Sequence, residues 1–143
     1  MSNIASSEAA MEALGANLAN QLREQQAHPA IVYLRGDLGA GKTTFVRGAL
    51  RQLGHNGLVK SPTFTLVETY TLPSHEVYHF DLYRISDPEE LDYLGIREFC
   101  QPKSICFIEW PDLGKPAVPK ATIEINIEYH PQGRQVDIKP IDS

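Results

Sequence analysis

Eight consecutive residues, Gly36-Asp37-Leu38-Gly39-Ala40-Gly41-Lys42-Thr43, carry the plainest chemistry in the chain. Their spacing is G-x-x-x-x-G-K-[ST], the phosphate-cradling P-loop or Walker A pattern. Glycine lets the backbone take positive φ and approach a ligand with no Cβ in the way. Such a loop turns several backbone N–H groups inward, and the helix that follows adds its unpaired N-terminal N–H groups. The result is an anion nest. Asp37, Leu38, Gly39, Ala40 and Gly41 form its wall, and Lys42 brings a charge for β- and γ-phosphate oxygens. The hydroxyl of Thr43 is placed to bind Mg²⁺. A glycine-rich turn with a chance Gly-Lys-Thr has the same letters, so the flanking elements must decide.

Two carboxylates compete for the rest of the reaction. Ser104-Ile105-Cys106-Phe107-Ile108-Glu109-Trp110 is an apolar run that ends in an acid, the Walker B pattern of a buried strand delivering a carboxylate to Mg²⁺. Glu76 to Arg84 alternates as a strand and meets an acid at Asp81. Glu109 is the choice for the metal, directly or through water, and Asp81 for orienting or activating an attacking water. The plainer reading of each is a strand-end carboxylate satisfied by solvent. Ser61, Thr63 and Thr65 are candidates for a switch hydroxyl reaching over the γ-phosphate, although a Ser-Pro turn entering a strand is the simpler account. Arg134 stands at a turn from which it could reach phosphate or base. A solvated turn arginine would look the same. Histidines 28, 55, 75, 79 and 130 are scattered without metal-ligand spacing. With no Asn-Lys-x-Asp for guanine, ATP is the expected nucleotide.

The elements around the motif have the required order. Ala30 to Leu34 is a short apolar, β-branched run of the kind expected for a buried strand. Phe45, Val46, Ala49, Leu50 and Leu53 then recur at helical period, with Gly54 closing the helix. Ser6 to about Gln26 reads as a leading helix, capped by Ser6 or Ser7 and broken by His28-Pro29. Thr65 to Leu72 and Val77 to Tyr83 are joined by Pro73-Ser74-His75, too short for a crossover, so they pair antiparallel. Ser86-Asp87-Pro88-Glu89-Glu90 starts a helix that Gly95 ends, and Ile96 to Cys100 forms a short second one. Thr122 to Tyr129 and Arg134 to Ile138 form a hairpin around Pro131-Gln132-Gly133, with one polar face that suits a sheet edge. The expected fold is α/β: a single-domain P-loop NTPase fold over residues 1–143. Its sheet is mixed and mostly parallel, flanked by helices, with a C-terminal β-hairpin.

Composition narrows the function. The chain has 143 residues, 42% of them hydrophobic, and a net charge of −5. That length suits one domain with one core. An acidic chain lacks its own electrostatic footprint for nucleic acid, so any role near RNA is expected to run through a partner. No apolar run approaches bilayer length and the N-terminus lacks the basic and apolar regions of a secretion signal, so the expected location is cytoplasmic, with no membrane. Two cysteines, Cys100 and Cys106, suggest no disulfide framework.

Several stretches then fall together in order: Gly36 to Thr44, Lys60-Ser61-Pro62-Thr63-Phe64-Thr65-Leu66-Val67-Glu68, Tyr78-His79-Phe80-Asp81-Leu82-Tyr83-Arg84, Asp87 to Leu91, and Ile108-Glu109-Trp110. The chain closely resembles the TsaE family of bacterial P-loop ATPases of tRNA threonylcarbamoyladenosine biosynthesis. The likeness runs from the P-loop strand to the C-terminal hairpin. The P-loop alone names a superfamily; the Ser-Pro-Thr-aromatic, Phe-Asp-Leu-Tyr-Arg and Glu-Trp stretches point to this family. Phe64 stands where tyrosine would also be expected.

The resemblance implies a weak cytoplasmic ATPase that supports the TsaB–TsaD heterodimer, which modifies N6 of adenosine 37 in tRNAs reading ANN codons. Contact with tRNA would be indirect, through that complex. From the P-loop and the hairpin turn, Asp37 to Thr44 with Arg134 are expected to bind ATP; by the resemblance the roles divide further. Lys42 would bind phosphate, Thr43 and Glu109 would hold Mg²⁺, and Lys42, Asp81 and Glu109 would form the catalytic set. Trp110 would matter for activity, and Ser61 to Phe64 would be switch-like. Two readings compete: a small-molecule kinase, against which stands the lack of a segment long enough for a lid, and a nucleotide-gated binding module without hydrolysis.

Overall fold

A computed structural model of the chain describes residues 2–24 and 28–141. Among the described residues, seven strands form one sheet in the order β1-β7-β6-β2-β5-β4-β3. The strands are β1 (Ser2–Ala5), β2 (Ala30–Arg35), β3 (Val67–Thr71), β4 (Glu76–Asp81), β5 (Ser104–Glu109), β6 (Ile123–His130) and β7 (Gly133–Pro140). Helices α1 (Glu8–Arg23), α2 (Lys42–Gln52), α3 (Glu89–Leu94) and α4 (Ile96–Phe99) pack on its two faces. The sheet is the expected mixed one. Its centre, β6-β2-β5-β4, is parallel, and β1–β7, β6–β7 and β3–β4 are antiparallel.

Central strands buried on both faces read as continuous apolar runs. All six residues of β5 are buried, and so are five of the six in β2. Side chains alternate between faces. Val32, Leu34, Ile105 and Phe107 therefore meet Phe45, Val46, Ala49 and Leu50 of α2. Ile31, Tyr33, Cys106 and Ile108 turn to the opposite layer, with Leu91 and Ile96 of α3 and α4 and with Ala117 and Val118. Helix α1 lies outside α2, and glycine allows the closeness of that crossing. A Cβ at Gly48 would stand 2.1 Å from the carbonyl oxygen of Glu12, and one at Gly15 would stand 2.0 Å from that of Phe45.

The leading helix forms where its composition predicts. It runs from Glu8 to Arg23, and Ser7 is the cap, its hydroxyl accepting from the Ala10 N–H at 3.1 Å. The expected extension to Gln26 lies outside the described residues. The hairpin is where it was expected in the chain, but β7 is not the sheet edge. Ser2 to Ala5 adds antiparallel to Asp137 through Arg134, so β1 takes that place. Four residues are too few to show a period of two, and the partner strand lies at the other end of the chain.

Candidate functional site

Register brings the chemistry to one edge of the parallel centre. Leu34 pairs with Glu109 across β2–β5, and Glu109 with Asp81 across β5–β4. The P-loop and both acids therefore leave the sheet at the same level, outside the carboxyl ends of the strands, where ligands bind in open α/β sheets. The loop has the predicted backbone: Gly39 and Gly41 have φ of 80° and 113°. Gly41 caps α2 without a side-chain hydrogen bond, which leaves the first N–H groups of that helix free for an anion. A Cβ at Gly36 would meet the Ile127 carbonyl oxygen at 2.7 Å.

One cavity of about 240 Å³ is lined by Leu38, Gly39, Gly41, Lys42, Thr43, Thr44, Ser61, Thr63, Asp81 and Glu109. Most of the residues expected to act therefore converge. Lys42 is buried; its Nζ donates to the Gly36 carbonyl at 2.7 Å, lies 3.8 Å from Glu109 Oε1, and sits 4.1 Å from the centre of the Trp110 ring. Burial holds its ammonium below the ordinary lysine range, against the pull of Glu109 and Asp81. Neither acid is left to solvent. Asp81, 5% exposed, accepts from the Tyr83 N–H at 3.0 Å and from the Thr63 hydroxyl at 3.2 Å. Thr63 in turn touches Ser61 at 2.8 Å, so these two hydroxyls do reach the site, while Thr65 is exposed and does not line it. Glu109, 4% exposed, meets His79 Nε2 at 2.5 Å.

A second cavity, about 230 Å³, adjoins across Gly39 to Gly41 and is closed by Ser6, Ser7, Met11 and Arg134. Arg134 donates from Nε to the Ala40 carbonyl at 3.2 Å, and its guanidinium stacks 4.3 Å from the Tyr129 ring centre. Tyr129 donates to the Leu38 carbonyl at 3.1 Å. The last hairpin thus grips the P-loop backbone. Asp37 faces elsewhere: it lines a wider groove with Arg35, Trp110 and Asp112 on the outer flank, although its carbonyl accepts from the Ala40 N–H at 3.0 Å.

Sequence reasoning missed His79 and Tyr129. His79 is fully buried on β4 but was one of five scattered histidines. An alternating strand that ends in Asp81 was the available signal, since it places His79 on the same face two residues earlier. Among the described residues no group of three or more His, Cys, Asp or Glu side chains could hold a metal. The hydroxyl of Thr43 and one carboxylate are nevertheless hard oxygen donors suited to Mg²⁺, which takes one or two carboxylates and completes its shell with phosphates and water.

A glycine loop at the end of a central parallel strand, an uncapped helix start, a buried lysine and strand-end carboxylates together define a P-loop nucleotide-binding α/β protein. Comparison with known proteins narrows the class. The model of the family described as "Threonylcarbamoyl adenosine biosynthesis protein TsaE" matches residues 5–136. A protein named tRNA threonylcarbamoyladenosine biosynthesis protein TsaE from Haemophilus influenzae is 48% identical over 132 residues, covering 92% of this chain and 84% of that protein. One of the same name from Bacillus subtilis is 39% identical over 98 residues, 68% of this chain and 61% of that protein. The crystal structure of Bacillus subtilis YdiB superposes with a TM-score of 0.77 at 26% identity, covering 99% of this chain and 84% of that one. The chain belongs to the TsaE family.

Proposed function

We propose that this protein binds Mg–ATP in the P-loop cavity and hydrolyses it in support of tRNA threonylcarbamoyladenosine formation, acting with the TsaB–TsaD heterodimer. The observation that carries the reading is the convergence of Lys42, Thr43, Asp81 and Glu109 on the one cavity beside an uncapped helix start. Family membership and the names of the relatives carry the link to tRNA modification.

In this reading the triphosphate lies along Gly39 to Thr44, and the adenosine occupies the adjoining cavity between the start of α1 and Arg134. Lys42 exchanges the Gly36 carbonyl for phosphate oxygens. Its lowered pKa marks a charge that burial has stripped of solvent, so an anion beside it is favoured. Thr43 and Glu109 would hold Mg²⁺, which would supply charge neutralisation for the phosphates. Asp81, held by Thr63 and the Tyr83 N–H, orients a water for in-line attack on the γ-phosphorus. The bond from that phosphorus to the β–γ bridging oxygen breaks, giving ADP and inorganic phosphate. The Thr63 contact ties the segment after α2 to the water-orienting carboxylate, so a partner that orders this segment would raise turnover. Among the described residues no helix is long and apolar enough to cross a membrane.

The test is release of labelled phosphate from γ-labelled ATP by the chain alone, and then with TsaB–TsaD and tRNA. Slow release alone and faster release with the partners is the expected result. No stimulation by the partners, with label appearing on a small acceptor instead of water, would establish a kinase and overturn the proposal.

A further inference from the structure

The sheet places one buried polar side chain directly beneath the acids. On the α2 face, Val32, Phe107 and His79 form one row across β2, β5 and β4, and Leu34, Glu109 and Asp81 form the next row toward the cavity. Its positions on β2 and β5 are apolar, and on the outer side Glu68 of β3 pairs with His79. His79 is 0% exposed and its Nε2 lies 2.5 Å from Glu109 Oε2. Its other ring nitrogen, Nδ1, is buried without a hydrogen-bond partner. An imidazole kept in an apolar layer with a nitrogen unpaired loses solvation that only its one contact can offset. That contact is with Glu109.

We infer that His79 is a positioning residue for the metal site, holding Glu109 Oε2 so that Oε1 faces the P-loop. The inference rests on the reading of Glu109 as the metal-holding carboxylate. A carboxylate only accepts hydrogen bonds, so the imidazole N–H donates to it. The two ends of the carboxylate are thereby distinguished: Oε2 is fixed from below by His79, and Oε1 lies 3.8 Å from Lys42 Nζ. Without the donor, a glutamate with three rotatable bonds has no polar anchor on the sheet side, and the oxygen offered to the cation is no longer fixed in direction. Partners that orient a ligand in this way characteristically affect metal affinity as well as rate.

The experiment uses the full chain with Mn²⁺ as the probe. Binding of Mn²⁺ is followed by the electron paramagnetic resonance signal of the free ion, in the presence of a β,γ-imido analogue of ATP. Affinity for the same analogue is measured separately in EDTA. His79→Leu and His79→Asn, neither able to donate at the Nε2 position, are expected to weaken Mn²⁺ binding by about tenfold or more. His79→Gln, whose amide nitrogen reaches that position, should stay within about threefold of the parent. Metal-free affinity for the analogue should be unchanged in all three, and cooperative thermal unfolding identifies the variants that fold. His79→Asn keeps the inference testable where His79→Leu does not fold. Loss of metal-free affinity in step with Mn²⁺ affinity, or equal loss in His79→Gln, would reduce His79 to packing and overturn the inference. Glu109→Gln separates the two levels. If it leaves Mn²⁺ affinity unchanged, the metal assignment itself fails; if it weakens Mn²⁺ binding and the His79 variants do not, only the inference fails.

Discussion

Replacing Gly48 by alanine sets a local preference against a tertiary contact. Alanine favours a helix interior over glycine by about 1 kcal/mol, so on α2 alone the change stabilises. The structure puts the new methyl 2.1 Å from the Glu12 carbonyl oxygen and 2.6 Å from its Cα. Non-bonded carbon contacts sit near 3.5 Å, so α1 and α2 must part by roughly 1 Å. Both colliding groups are backbone, and no rotamer change relieves them. Overpacking costs about 1–3 kcal/mol, and a backbone collision belongs at the top of that range. The net is destabilisation of about 2 kcal/mol, or a fall in Tm of roughly 4–8 °C at this size. Because α2 begins at Lys42, its displacement should also weaken ATP binding. Calorimetric unfolding of Gly48→Ala, with Gly15→Ala as its counterpart across the crossing and Gly57→Ala as a control, gives the answer. A Cβ at Gly57 would meet only the His55 ring, at 3.2 Å. A Tm for Gly48→Ala at or above the parent would refute the packing argument.

The remaining expectations concern charge. Lys42→Ala should lower ATP affinity by about 10–100-fold, the scale of lost charge-assisted hydrogen bonds, while unfolding stays cooperative; equal affinity by calorimetric titration would remove Lys42 from the site. Glu109→Gln should keep ATP affinity within about threefold yet cut phosphate release by roughly a hundredfold or more, and full turnover would return the leading role to Asp81. The Arg35 guanidinium, with Lys115 beside it, pulls the Asp112 carboxyl down to about 2. A carboxyl with a lowered folded-state pKa adds stability above its unfolded value near 3.9, and loses it as pH falls through the folded value. Asp112 is 60% exposed, so screening reduces the effect to about 0.5 kcal/mol at pH 7. The difference in urea midpoint between the parent and Asp112→Asn should narrow progressively from about pH 5 to about pH 2 and below, and a constant gap would show that the ion pair is not its source.

The parts of this fold legible in the sequence are those whose signal is local. The run Ala30 to Leu34, the helical period from Phe45, the acidic helix start at Glu89 and the alternation of Ile123 to Tyr129 each show their own period over enough residues to be read. Ser2 to Ala5 failed that test, since it is a strand only because β7 offers an unpaired edge. Gly15 and Gly48 were equally silent. Inside helical patterns a glycine reads as a small cost, and only the crossing of α1 over α2 turns it into a requirement.

The site divides along the same line. The P-loop is legible because its chemistry is made by neighbours in sequence, and Glu109 because a buried strand aims it. Contacts made between elements were not. His79 and Glu109 lie 30 residues apart and meet because β4 and β5 pair in the register Asp81 to Glu109. A register one residue different would turn His79 to the opposite face. Ligand-spacing rules that look for histidines a few residues apart cannot see such a pair, whereas the alternation of β4 already placed His79 and Asp81 together. The useful sequence question was therefore which residue precedes the acid by two on each central strand. On β5 the answer is Phe107, a core residue. On β4 it is a fully buried histidine, and its hydrogen bond runs diagonally to the acid of the neighbouring strand.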